Sequence, residues 1–243
     1  MAVLKKIEKR GALEQTSKIR RRCGEVLRFA IVTGRAKYNF APDLAIALNK
    51  PKQNHFPFLT EKEIPAFVEA LKRYQGSLLP KYATPLLMLT GVRTVELREV
   101  SWSEFYLENA LWEIPKKRMK KRRSHLVPLS SQAIEILNKL KVISGKYQLV
   151  LPGSNDVRKP MSDASINKVI KMLGYHGRLT GHGFRHTMST ILHEHGFESV
   201  WIEMQLAHVD KNTIRGTYNH AQYLLGRKDM LQWYAEKIFN KPQ

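Results

Sequence analysis

Seven of the eight residues from Lys116 to Arg123, KKRMKKRR, are cationic. A run like that stays in water, because burying unpaired charge is costly. On either side lie ALWEIP (110–115) and HLVPL (125–129), short apolar segments bounded by breakers, which read as two strands. Most of the remaining chain has helical spacing. The fold class expected is therefore mainly α with a small antiparallel β-sheet.

The helices are legible one by one. TSKIRRRCGEVLRFAIVTGR (16–35) sets Ile19, Cys23, Val26, Leu27 and Ala30 at helical spacing, with an arginine run on the other side and Gly34 as the stop. LTEKEIPAFVEALKRY (59–74) opens on Thr60 and Glu63, a capping-box pair. Further helices are predicted over YATPLLMLTGV (82–92), SSQAIEILNKLK (130–141), MSDASINKVIKML (161–173, capped by Ser162), ESVWIEMQLAH (198–208) and TIRGTYNHAQYLL (213–225). YQLVLPG (147–153) reads as a third short strand. NKPKQNHFPF, Asn49 to Phe58, has two prolines and no period, so it reads as a linker. The expected organisation is a helical segment and linker over 1–54 and a larger domain over 55–243.

Charge narrows the partners. The chain of 243 residues has 41 Lys and Arg against 21 Asp and Glu, a net +20, with an isoelectric point near 10.1. Residues 1–55 alone hold thirteen Lys and Arg against four Asp and Glu. Such an excess steers a protein to polyanions, nucleic acid first and an anionic membrane surface second. No stretch approaches the roughly twenty apolar residues that span a bilayer. A single cysteine, Cys23, excludes a disulfide framework within the chain and fits a reducing compartment. The expectation is a soluble, intracellular, nucleic-acid-binding protein.

TGHGFRHTMSTILHEHG (180–196) packs four histidines and an arginine into one helical run. A metal site could use His182 and His186, four apart on one face, with His193 or His195 beyond. No HExxH pattern occurs, however, and no Cys or Asp stands near as a third ligand. The five aspartates (Asp43, Asp156, Asp163, Asp210 and Asp229) are far apart in sequence, which disfavours two-metal phosphate chemistry. Cations must then neutralise any phosphate. His182 and Arg185 share a face at a helix start, where the dipole suits an anion. A second arginine, Arg93 in LTGVRTVELREV, follows a glycine turn, with Glu96 placed to orient a neighbour. Two guanidinium forks can clamp the non-bridging oxygens of one phosphodiester.

TGVRTVELREVSWSEF, WEIPKKRMKKRRSHLVPLS, HGFRHTMST, LAHVDKNTIRGTYNHAQYL and MLQWYAE occur in that order. Together, from about Phe58 to Tyr234, they resemble the tyrosine recombinases, specifically the prophage and genomic-island integrases. The resemblance implies a tyrosine recombinase catalytic domain preceded by part of a helical core-binding domain, lacking an amino-terminal arm-binding domain. It implies that Arg93 and Arg185 grip the scissile phosphate, that His182 is the HxxR histidine, and that His208 hydrogen-bonds the phosphate. Lys120 matches the lysine that protonates the leaving oxygen, with Lys116, Lys117 and Lys121 as neighbouring alternatives. Tyr218, ten residues after His208, matches the nucleophile, and Tyr223 is the alternative.

The chemistry is consistent with those roles. A phenol that attacks a phosphodiester loses a proton and the departing 5′ oxygen gains one, tasks suited to histidine and to a lysine among cations. A phosphotyrosine keeps the bond energy, so no ATP, metal or other cofactor is implied. The remaining basic residues, Arg20, Arg21, Arg22, Lys116, Lys117, Arg118, Lys121, Arg122 and Arg123, are expected to contact DNA.

The implied function is integration and excision of a mobile element at double-stranded DNA attachment sites. A homotetramer is expected at synapsis and a monomer when free, with a DNA-bending protein and an excisionase as further partners. The implied location is the cytoplasm of a bacterial host, on the nucleoid and off the membrane. The tail LLGRKDMLQWYAEKIFNKPQ is amphipathic, with Leu231, Trp233, Tyr234 and Ile238 apolar, and can dock on its own domain or on a neighbouring protomer. Three other readings stay open: a type IB topoisomerase-like enzyme, a fragment that cleaves without full recombination, and a DNA-binding regulator using ESVWIEMQLAHVDKNTIRGTYNHA as a helix-turn-helix.

Overall fold

Thr60 and Glu63 form the expected capping box, with the Thr60 amide donating to Glu63 Oε2 at 2.9 Å, and it starts the first helix of the larger unit. The computed structural model describes residues 1–50, 57–119, 123–208 and 223–239. It divides into two compact units, Met1–His55 and Phe56–Gln243.

In the smaller unit, α1 (Ala2–Lys9) packs on α2 (Leu13–Val32). Gly34, at φ +72°, ends α2 as expected, with the Arg35 amide turned back to the Ala30 carbonyl at 2.7 Å. The packed face of α2 is not the apolar one. Thr16 and Gly24 are buried, whereas Ile19, Cys23 and Val26 are exposed. The reason is local. Gly24 has no side chain, so Ala41 can cross α2 there, and Asn39 and Arg20 fasten that crossing through the Gly24 and Ala41 carbonyls at 3.0 Å each.

In the larger unit, a 3₁₀ turn leads into α3 (Ile64–Arg73), followed by α4 (Leu78–Thr90), α5 (Thr94–Arg98), β1 (Phe105–Tyr106), β2 (Leu111–Ile114), β3 (His125–Pro128) and α6 (Ser131–Ser144). Then come α7 (Ser165–Met172), α8 (Gly183–Glu194), α9 (Ser199–Gln205) and α10 (Leu224–Phe239). Residues 83–90 of α4 are buried on every side, which makes it the central helix, packed by α6, α7, α8 and α10. The fully buried Phe67, Trp112 and Phe184 each contribute about 2–3 kcal/mol of apolar burial.

The three strands form one antiparallel sheet in the order β1-β2-β3, with Trp112 opposite Val127 and Ile114 opposite His125. Both expected strands form, and the cationic run is their connection. The two-residue β1 was not anticipated, being too short to show a period. The expected strand over 147–153 does not join the sheet. Leu149 bridges Ser101 and Pro152 bridges Pro160 as isolated pairs, because the two prolines carry no donor for a ladder. Ser162 does not cap α7. Its hydroxyl accepts the Ala164 amide at 3.3 Å and closes a turn ahead of the helix. The predicted helix over 213–225 lies almost wholly outside the described residues. The tail helix α10 docks on its own chain, burying Met230, Leu231, Tyr234, Ala235 and Ile238 against α3, α4, α8, α9 and β3. Among the described residues no helix is long and apolar enough to cross a membrane.

Candidate active site

Two glycines bring the first arginines together. Gly91 ends α4 in the left-handed region, at φ +61°, and turns the chain so that Arg93 caps α5. Gly183 opens α8 where any Cβ would meet the Pro57 carbonyl at 2.2 Å. Thr187, one turn on, exchanges hydrogen bonds with the Leu59 backbone at 2.9 and 3.1 Å, so α8 is pinned along the segment that enters the unit.

Arg185, in the first turn of α8, is buried. Its Nη1 donates to the Gly91 carbonyl at 2.5 Å and its Nη2 to the Leu206 carbonyl at 2.6 Å. Burial, then the nearby Arg93 charge, lowers its pKa to about 10, so it stays cationic at neutral pH. Arg93 is half-buried. Glu96 holds it twice, through the Arg93 amide and through Nη1, both at 2.7 Å, and Nη2 reaches the Ala207 carbonyl at 3.3 Å. Glu96 thus has the orienting position that its spacing suggested.

His182 caps α8. Its pKa is lowered first by burial and then by the Arg185, His186, Arg93 and His208 charges, so the ring is neutral at pH 7 and able to accept a proton. His208 follows α9, and its Nδ1 donates to Glu203 Oε2 at 2.8 Å. Arg93, His182, Arg185 and His208 therefore converge within electrostatic reach at the amino end of α8. Tyr218 and Lys120 lie outside the described residues, as do Lys121 and Arg122.

The other histidines of the 180–196 run are spent elsewhere. The His186 ring packs edge-on against His182 at 5.6 Å and near Phe58 at 6.0 Å. His193 donates to the Ser189 carbonyl at 2.7 Å, and His195 meets Glu61 at 2.9 Å and Trp233 at 4.8 Å. Among the described residues no three His, Cys, Asp or Glu side chains stand close enough to hold a metal ion.

Among the basic residues expected on DNA, Lys116, Lys117, Arg123 and Arg21 are exposed. Arg22 is exposed and paired with Glu25 at 2.7 Å. Arg20 donates to the Ala41 carbonyl, and Arg118 turns inward to Glu104 and the Glu96 carbonyl, so these two guanidinium groups already have protein acceptors.

Residues 57–224 match the phage integrase family, and residues 1–47 match the phage integrase central domain. The chain belongs to the phage integrase family. This integrase-family chain is 47% identical over 242 residues to the integrase of Shigella phage Sf6, covering 99% of the chain and 63% of the relative. It is 46% identical to the prophage integrase IntS of Escherichia coli strain K12, with the same coverage. It therefore spans about three fifths of the length of these relatives. Among solved structures, a lambda integrase dimer bound to a COC′ core site superposes with a TM-score of 0.67 at 17% identity, covering 100% of this chain and 80% of that one. The Tn1549 transposon integrase in complex with a circular intermediate DNA reaches 0.68 at 15% identity, covering 95% and 83%. The mainly helical fold with its small antiparallel sheet is thus that of integrases.

Sequence reasoning missed the polar residues beneath the site. Gln205, Arg227 and His125 are buried, and although each falls within a segment read above, none of the three was given a role. A signal existed for Arg227. It stands on the same helical stripe as Met230, Leu231, Tyr234, Ala235 and Ile238, where an arginine is out of pattern.

Proposed function

We propose that this chain is the central and catalytic part of a site-specific DNA recombinase that cleaves and rejoins DNA through a 3′-phosphotyrosine on Tyr218. The observation that carries the reading is the convergence of Arg93, Arg185, His182 and His208 at the amino end of α8, a neutral histidine among cations. The Arg185 and Arg93 forks take the non-bridging oxygens, aided by the positive end of α8, and each such donor contributes on the order of 3 kcal/mol to the transition state. His208, with Nδ1–H held by Glu203, donates to the phosphate through Nε2–H in its doubly protonated form. His182 takes the phenolic proton of Tyr218 as its oxygen attacks phosphorus, and Lys120 protonates the 5′ oxygen that leaves. Rejoining runs the same exchange in reverse.

Residues 1–54 serve as the core-binding segment and linker, and 55–243 as the catalytic domain. The partners are double-stranded DNA attachment sites of a mobile element, with a homotetramer at synapsis. Supporting this, one structural relative is a lambda integrase tetramer bound to a Holliday junction, with a TM-score of 0.66. A DNA-bending protein and an excisionase are the further partners expected of such a reaction. It takes place in the cytoplasm of the bacterial host.

The test is adduct formation on nicked suicide duplexes spanning the junctions of the encoding element, with EDTA present. Wild type should give a covalent protein–DNA species on a denaturing gel and Tyr218→Phe none. An adduct from Tyr218→Phe would move the nucleophile to Tyr223. Tight binding with no adduct from either would favour the DNA-binding regulator.

A further inference from the structure

Three consecutive carbonyls at the end of α9 each accept from a different side chain. Gln205 O takes His125 Nε2 at 3.1 Å, Leu206 O takes Arg185 Nη2 at 2.6 Å, and Ala207 O takes Arg93 Nη2 at 3.3 Å. The last carbonyls of a helix have no partner within it and form the negative end of its dipole. The end of α9 therefore decides where both arginines sit, and His208 follows at once.

The Gln205 side chain decides where that end sits. It is fully buried, and its Nε2 donates to the Thr90 carbonyl at 2.7 Å, one residue before the Gly91 carbonyl that takes Arg185. Its Oε1 accepts from Arg227 Nη2 at 2.7 Å and Nε at 3.3 Å. Arg227 is also fully buried, and its Nη2 reaches the Leu126 carbonyl of β3 at 2.6 Å. One guanidinium thus joins the helix that follows the tyrosine segment, the strand that follows the lysine turn, and the end of α9.

We propose that Gln205 and Arg227 are a positioning pair that fixes the starts of α10 and β3 against the Arg93–Arg185 phosphate clamp. The role rests on the phosphotyrosine reading above. Neither residue touches DNA; each acts through the backbone that it holds. A fork with several fixed donors suits this task better than a point charge. Burial lowers the Arg227 pKa to about 10, so the group remains charged at neutral pH. A buried charge is a poor way to gain stability alone, since an apolar pair of similar volume often does as well.

That contrast supplies the test. In the double variant Arg227→Met with Gln205→Leu, both polar partners become apolar together, which protects folding. Single-turnover adduct formation on the junction duplexes should fall on the order of 10²-fold, as expected for a displacement of about 1 Å. Melting temperature should fall by only a few degrees, for the Thr90 and Leu126 carbonyls that lose their donors, and DNA affinity should stay close to wild type. Arg227→Lys, which keeps the charge but not the fork, should recover only part of the rate. A double variant that cleaves at the wild-type rate would overturn the assignment. So would a loss of cleavage that in both variants tracks lost affinity and a lowered melting temperature, because the pair would then be merely structural. Absence of any Tyr218-dependent adduct from wild type would instead bring down the functional reading, and this role with it.

Discussion

Two inward-turned arginines in the larger unit, Arg118 and Arg185, solve the same problem in opposite ways. At the base of the β2–β3 connection, Arg118 is neutralised by Glu104, which also accepts the Trp112 indole N–H at 3.0 Å. At the α4–α8–α9 junction, the hydrogen-bond partners of Arg185 among the described residues are backbone carbonyls. Carbonyl dipoles orient a guanidinium without cancelling its charge, whereas a carboxylate cancels it. The first arrangement is a fastening and the second keeps a positive charge ready for an anion. Arg93 stands between them, steadied by Glu96 yet half-exposed beside Arg185.

The contrast breaks if the two arginines respond alike. Arg185→Lys keeps the charge and loses the fork, so adduct formation should fall on the order of 10²–10³-fold with DNA affinity nearly unchanged. Arg118→Ala should do the reverse. It leaves Glu104 buried and unpaired, at a cost of about 3 kcal/mol in chemical denaturation. Arg118→Met combined with Glu104→Leu should return most of that stability. Near-normal cleavage by Arg185→Lys, or an Arg118→Ala variant as stable as wild type, would show that the acceptor type does not separate the two roles.

Much of this was legible because the proposed phosphate site is built from contiguous motifs. Arg93 follows the Gly91 turn, and His182 and Arg185 share one helical turn, so local spacing was enough to find those three, whereas His208 came from the family resemblance. The capping box at Thr60, the stop at Gly34 and the hairpin flanking the cationic run were readable for the same reason. What escaped was nonlocal. Gln205 meets Thr90 across 115 positions and Arg227 meets Leu126 across 101, and no local period records such a meeting. The face on which α2 packs was misjudged because Gly24, a gap rather than an apolar side chain, determines it. Arg118 looked like its six cationic neighbours, and only the fold shows that its side chain turns inward.

Protonation offers a smaller lever on the same comparison. His125, opposite Ile114 in the sheet, is buried, and burial followed by the Arg227 charge lowers its pKa to about 4. The folded state therefore favours the neutral ring. Its stabilisation is complete above about 6.5 and is lost as pH falls from there towards 4, about 3 kcal/mol in all. The fall should be visible between pH 6.5 and 4.5, before the glutamates, whose lowered values at Glu61 and Glu63 place their losses at still lower pH. His125→Gln keeps a donor for the Gln205 carbonyl and should flatten that part of the curve. His182 is shifted the same way, so cleavage should rise with pH through a midpoint below the usual histidine value. An ascending limb at or above that value would mean that a different group accepts the proton.

The smallest effects belong to a third class of cation, one that faces water. Arg21, Lys116, Lys117 and Arg123 are exposed, and each phosphate they neutralise releases condensed counterions. Replacing any one with Gln should lower the slope of log affinity against log salt by about 1 in anisotropy titrations and weaken binding uniformly across sequences. Arg118→Gln should leave the slope unchanged, because Glu104 already pairs with that charge. Arg22, which would exchange the exposed Glu25 for a phosphate, should fall in between, since surface pairs of this kind are worth only about 0–1 kcal/mol. If Arg118→Gln lowers the slope as much as Lys116→Gln does, the inward guanidinium swings out on DNA. The division of cations by what faces them would then hold only for the free protein.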